Sequence, residues 1–290
     1  MAKTLMPIVK TINQPEWTSS QSKYQTLPEA GISNGLLVAP SFTGKTTWLS
    51  SWLLDWFRGA YARIYIFSPN ALTPEWAPVK DYIEQDLGVD LDEEQCLFET
   101  LDEEALSRII STQKRVIAHQ KKQKHKTMHA ICIVIDDLAS EPKFHRNHGA
   151  ISELFTRGRH FFIQTICSNQ KWKLLSPTAR VNAHWIVVFK LRNRMDLDGL
   201  LQELTAIYPY ETLVEMYQEA VNDQPYSFLF INLKKTKEEM FSIRFEEILQ
   251  PNKEETDGGI FVPNYEQVAW GGKRKHTMKW IIIISFAAGR

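Results

Sequence analysis

The sequence predicts an α/β protein built on a doubly wound, mostly parallel sheet with helices on both faces. Short apolar runs alternate with amphipathic stretches from Ser33 to Val221, and the string Ala39-Pro40-Ser41-Phe42-Thr43-Gly44-Lys45-Thr46 falls where the first run gives way to the first helix. Composition permits this class. The 290 residues are 43% hydrophobic and 23% charged, with 13 Gly and 13 Pro, which excludes collagen-like, low-complexity and wholly disordered chains.

Residues up to about Ala30 mix Pro, Ser, Thr and Gln without a period and read as an arm rather than an element. Ser33 to Ala39 is a strand ended by Pro40, and Lys45 to Arg58 a helix whose paired apolar residues (Trp48-Leu49, Trp52-Leu53, Trp56-Phe57) recur every four positions as one core-facing stripe. Arg63 to Ser68 is a strand closed by Pro69. Pro74 to Leu87 is a helix with proline in its first turn. Gln95 to Glu99 reads as a short strand and Asp102 to Lys124 as a helix that grows basic toward its end. Ala130 to Ile135 is continuously apolar, as a strand buried on both faces is, and runs into Asp136 and Asp137. Ile151 to Thr156 is helical, His160 to Cys167 and His184 to Leu191 are strands, and Leu197 to Ala206 and Glu211 to Val221 are helices. Tyr226 to Leu233 and Phe241 to Phe245 are expected as late edge strands. The organisation expected is an arm (1–30), one nucleotide-binding domain (31–247) and a polar tail (248–290).

Three cysteines (Cys96, Cys132, Cys167) without tight spacing make no disulfide framework, which favours a reducing compartment. The first residues lack the apolar core of a signal peptide, and the longest apolar run, Trp280 to Ala288, is far short of the roughly 20 residues of a spanning helix; no membrane span is expected. Formal net charge is zero, yet Ser111 to Met195 holds sixteen Lys or Arg against four Asp or Glu. A middle third this basic is a candidate polyanion face. His145 and His148 with Cys132 or Cys167 lack the paired spacing of a zinc site.

The string from Ala39 to Thr46 has the phosphate-loop pattern of P-loop NTPases in relaxed form, with Ala39 where glycine usually opens it. The segment from Ala39 to Thr47 cradles phosphates with successive backbone N–H groups and a helix N-terminus. Gly44 permits close approach, Lys45 neutralises the β and γ phosphates, and Thr46 offers a hydroxyl to Mg2+. The acidic strand end supplies the other half: Asp136 to hold the magnesium through its water shell and Asp137 to polarise the attacking water. With no Asn-Lys-x-Asp string to read guanine, ATP is preferred over GTP.

These residues resemble the FtsK-HerA superfamily of DNA-pumping ATPases, specifically the genome-packaging ATPases of poxviruses and other large eukaryotic DNA viruses, virophages and Polinton-type elements. Besides the phosphate loop and the acidic strand, Ile64 to Asn70 with Trp76, Arg157-Gly158-Arg159-His160, Asn169-Gln170 and Arg180-x-Asn182 carry the resemblance, over about Gly31 to Leu204. It implies a RecA-like (ASCE) core, a homo-oligomeric ring around double-stranded DNA, capsid or portal-vertex partners and an intracellular viral assembly site or virion. It implies too that Gln170, with Asn169 beside it, senses the γ-phosphate and that Arg159 is the finger on a neighbouring subunit's ATP, with Arg157 and Arg180 as second choices.

Lys114, Arg115, Lys121, Lys122, Lys124 and Lys126 are the candidate phosphate-backbone contacts, and Lys273 to Lys275 form a second basic cluster. Two other readings stand beside the motor: a nucleotide or small-molecule kinase using Arg157, Arg159 and Arg180 as a phosphate lid, and a nucleotide-gated assembly protein without motor activity.

Overall fold

Nearly every expected run becomes an element in the computed structural model, which describes residues 17–138, 149–251 and 283–284. Its strands are β1 (Thr18–Ser19), β2 (Gly35–Val38), β3 (Arg63–Phe67), β4 (Leu97–Phe98), β5 (Thr127–Met128), β6 (Ile131–Asp136), β7 (Ile163–Asn169), β8 (Trp185–Phe189), β9 (Phe228–Asn232), β10 (Phe241–Ile243), β11 (Glu247–Ile248) and β12 (Ile283–Ile284). The helices are α1 (Lys45–Ser51), α2 (Ala77–Gln85), α3 (Glu103–Lys122), α4 (Ala150–Arg157), α5 (Pro177–Asn182), α6 (Arg194–Glu203) and α7 (Tyr210–Asn222).

Among the described residues the main sheet runs β4-β3-β6-β7-β2-β8-β9-β10-β11-β12. Its first six strands are mutually parallel, and the rest pair antiparallel. Every residue of β2, β6, β7 and β8 is buried, which accounts for the near-continuous apolar runs of β2, β6 and β8; β7 buries Gln164, Thr165, Ser168 and Asn169 as well. Because these strands are parallel, Val38, Phe67, Asp136, Asn169 and Phe189 all end at one edge of the sheet. The opposite edge collects the entries to β6, β7 and β8.

The first helix departs from its expected form. After Ser51 the chain widens into a π-helix, Trp52–Trp56, closed by Phe57 N–H donating to the Trp52 carbonyl at 2.9 Å. The stripe is core as expected: Trp48, Leu49, Trp52, Leu53 and Phe57 are buried, and Trp52 stacks on Trp185 with centroids 4.7 Å apart. Gly35 makes that stack possible. A β-carbon there would stand 2.0 Å from the Trp185 ring.

Three further expectations are corrected. The end of the presumed arm holds β1, which pairs with β5, and the Ser19 hydroxyl donates to the Ala30 carbonyl at 2.8 Å. His160 and Phe161 belong to a 3-10 turn, Gly158–Phe161, and Phe162 takes a left-handed φ of 55° that breaks extension until Ile163. The late strands β9 and β10 lie inside the sheet, since β11 and β12 extend it beyond them. No helix of the described residues is long and apolar enough to cross a membrane. His145, His148, Lys273, Arg274 and Lys275 lie outside the described residues.

Candidate active site

The phosphate loop leaves the buried strand β2 at the sheet edge where the parallel strands end. Ala39 N–H donates to the Asn169 carbonyl at 3.0 Å, and the Thr43 hydroxyl donates to the Pro40 carbonyl at 2.7 Å, closing the loop on itself. Gly44, with φ +88°, turns the chain into α1. No side chain caps that helix and no acid stands in its first turn, so its first N–H groups and the positive end of its dipole face outward.

Lys45, the first residue of α1, is buried beneath this loop. Its Nζ stands 2.6 Å from Asp137 Oδ2 and 3.2 Å from Asp136 Oδ1, but makes no aligned hydrogen bond with any group of the described residues. A buried ammonium in that condition has hydrogen-bonding capacity left over for an anion. Asp136, the last residue of β6 and 2% exposed, accepts from the Ser168 hydroxyl and from that of Ser68 at 3.3 Å. Two hydroxyl donors orient its carboxylate without neutralising it. Asp137 comes next in a left-handed conformation, φ 58°, its N–H donating to the Ser168 carbonyl at 3.1 Å. That strained turn aims the second carboxylate away from the strand, where Gln170 Nε2 donates to it at 2.9 Å.

A cleft of about 540 Å³ opens here, lined by Pro40, Ser41, Phe42, Gly44, Lys45, Thr46 and Thr47 on one wall and by Asp136 and Asp137 on its floor. The structure thus gathers the loop, the lysine, the threonines and both carboxylates, with Gln170 attached through Asp137. Ser50, Asn70, Glu75 and Pro78 also line it, and the sequence analysis assigns none of them to the site. They arrive from α1, the β3–α2 connection and the first turn of α2; Asn70 ends the Ile64 to Asn70 string, whereas no local string marks Ser50, Glu75 or Pro78. Arg192, just beyond β8, donates from Nη2 to the Ser41 carbonyl at 3.2 Å. It escapes sequence reasoning for the same reason.

Arg159 is not brought to this cleft. It sits before β7, beside Lys121 and Trp17 in a cavity of about 500 Å³ at the other sheet edge, and seven strand residues, roughly 23 Å, separate it from Gln170. Arg157, at the end of α4, and Arg180, in α5 before β8, enter from that same far edge. Arg180 pairs with Glu203 and lies over the Trp172 ring.

Six parallel strands in this order, a glycine-turned loop over a buried lysine and a carboxylate pair ending the adjacent apolar strand define a P-loop ATPase with a RecA-like sheet. Residues 23–224 match the family described as Poxvirus A32 protein, and the chain belongs to that family, the poxvirus-type packaging ATPases. Among solved structures it is similar to the genome packaging NTPase B204 from Sulfolobus turreted icosahedral virus 2 in complex with AMP, at 16% identity and TM-score 0.47 over 73% of this chain and 96% of that one. It is similar also to EssC (ATPases 2 and 3) from Geobacillus thermodenitrificans, at 14% identity and TM-score 0.46 over 66% of this chain and 42% of that one. The pCW3 conjugation coupling protein TcpA, in monomer form with ATPγS, matches at 15% identity and TM-score 0.46 over 70% of this chain and 58% of that one. No curated protein matches the sequence.

Proposed function

We propose that this ATPase is the motor that drives double-stranded DNA into a viral capsid, working as a homo-oligomeric ring at an intracellular assembly site. The observation that carries the chemistry is the buried Lys45 ammonium, held between two strand-end carboxylates yet not hydrogen bonded, under an uncapped helix start. Phosphates in the loop take up the spare hydrogen bonds of Lys45. Thr46 and Asp136 are the residues that would hold Mg2+, which when bound neutralises charge on the β and γ phosphates. Asp137 orients and polarises the attacking water, and Gln170, already on Asp137, reports on the γ-phosphate.

Among the described residues Arg157, Arg159 and Arg180 do not line the cleft, which weighs against the lid that a kinase reading needs. An arginine at one sheet edge and an ATP site at the other suit a head-to-tail contact, in which one subunit's Arg159 reaches its neighbour's nucleotide; such a heterologous interface forms a ring where its rotation closes. For DNA, Lys122 at the end of α3 and Lys124 and Lys126 just beyond it are exposed, whereas Lys114 is committed to Glu153 and Lys121 lies over the Trp17 ring. Lys122, Lys124 and Lys126 are therefore the better candidates for phosphate contacts.

Steady-state ATP hydrolysis with and without long double-stranded DNA tests the proposal, with Lys45→Ala alongside. DNA-stimulated turnover that the variant loses is the expected result. Rapid phosphate transfer to a nucleoside or nucleotide with indifference to DNA makes the protein a kinase, and nucleotide binding without turnover in any oligomeric state makes it an assembly switch.

A further inference from the structure

Two aromatic rings at the phosphate loop take no part in the chemistry above. Phe42 is 96% exposed and Tyr226 70%, and both have φ 64°, a left-handed conformation that is costly for an aromatic residue. The backbone thus holds both rings outward at a cost. Tyr226 lies in the turn between α7 and β9, and its Cδ1 is 3.2 Å from where a β-carbon on Gly44 would stand. A cavity of about 470 Å³ opens beside them, on the β8 and β9 side of the loop, with Thr43, Phe189, Lys190 and Ser227 among its lining residues. That volume lies within the roughly 300 to 1,000 Å³ typical of small-molecule sites.

The polar side chains around this cavity are mostly engaged. Lys190 Nζ donates to Asn222 Oδ1 at 2.7 Å, and Asp223 pairs with Arg244 at 2.7 Å. Ser227 differs: it is 3% exposed, and its hydroxyl has no hydrogen-bond partner among the described residues. The site therefore offers two exposed ring faces to a flat ligand, with Ser227 buried behind them.

We propose that Phe42 and Tyr226 clamp the purine base of the nucleotide. The inference rests on the reading of the loop as the ATP phosphate site. With the γ-phosphate directed toward Asp136 and Asp137 in the cleft on one side of the loop, the base leaves on the other, where these rings stand. Stacking accepts any base with a π face, so the clamp supplies affinity rather than strict base choice.

Binding of ATP and of inorganic tripolyphosphate, each with Mg2+, to the full-length chain separates the two halves of the site. Tyr226→Ala should weaken ATP by about ten- to a hundredfold, the range that loss of one base–ring stack produces, while tripolyphosphate affinity stays within about twofold, and Phe42→Ala, in the phosphate loop itself, should weaken ATP more than tripolyphosphate. Tyr226→Trp should retain ATP. Unchanged ATP affinity in Tyr226→Ala, an equal fall for both ligands, or a changed oligomeric state with both affinities intact overturns the clamp, the last by making the rings a contact between copies. Lys45→Ala should weaken both ligands; if it weakens neither, the phosphate-site reading fails, whatever the rings do.

Discussion

The two edges of the parallel sheet are built from the same strands and do different work. At the edge where the strands end, Lys45 stands between Asp136 and Asp137, and Gln170 donates to Asp137. At the edge where they begin, Arg159, Lys121, Trp17 and His160 surround a separate cavity, with Arg157 and Arg180 at neighbouring strand entries. A parallel sheet sorts residues in this way without regard to sequence distance: the residue after a strand stands at one edge, and the residue before it at the other. The first edge gathers the proposed nucleotide chemistry of one subunit, and Arg159 at the second is the cation proposed to reach the site of another copy.

The largest effect should come from breaking the first edge at its base. Asp137→Asn should stop hydrolysis and leave ATP binding intact, measured as turnover against equilibrium binding. If Asp137→Asn turns over normally while Glu75→Gln does not, the water is polarised from the other wall of the cleft, where Glu75 stands exposed. Next is the dependence of one edge on the other. Arg159→Ala should lower turnover by about a thousandfold or more, as loss of a finger in trans does, and mixing it with Lys45→Ala should restore activity. Each inactive protein supplies what the other lacks. Mixtures as inactive as their components would confine Arg159 to a structural role at its own edge.

The first edge is largely legible in the sequence because its parts are contiguous strings. A loop over a helix start needs its glycine, lysine and threonine in succession, and a strand that ends in a carboxylate pair announces itself as an apolar run with two acids behind it. Glu75 and Arg192 reach the same cleft across chain reversals, so no spacing betrays them. The second edge is hardly legible at all. The pairing of β1 with β5, which anchors Trp17 under Lys121, joins residues over a hundred positions apart through two-residue strands too short to carry a period. Likewise, the π turn after Ser51 answers to the packing of Trp52 on Trp185, a partner 133 positions on.

A smaller effect sharpens the assignment of DNA to the second edge. Neutralising Lys122, Lys124 and Lys126 with glutamine should weaken duplex binding and reduce the dependence of log affinity on log salt by about 0.9 for each DNA phosphate left unneutralised. Unequal effects of duplex sequence should not appear, because backbone contacts carry no base information. A salt slope identical to that of the unaltered protein moves the DNA path away from the end of α3.

The smallest effect is a pH dependence that originates at the second edge. His184, at the entry to β8, accepts the Asn34 N–H on Nδ1 at 2.9 Å, a bond that requires that nitrogen unprotonated. Burial, then the charges of Lys234 and Arg159, hold its pKa below the usual histidine value of 6.5. The unfolded chain therefore binds the proton more readily than the folded one. The stability contributed by neutral His184 is full above about pH 6.5 and is lost as pH falls from there toward the lowered folded value. The melting temperature should accordingly fall more between pH 7 and 5.5 in the natural protein than in His184→Asn, which keeps an acceptor near Nδ1 and cannot titrate. Equal falls would show that the proton is taken up elsewhere. Arg159→Ala should reduce the loss in part, since its guanidinium is one of the charges opposing the imidazolium. The same arginine that is proposed to act on a neighbour's nucleotide thus has a measurable signature within its own subunit, independent of whether the ring assembles.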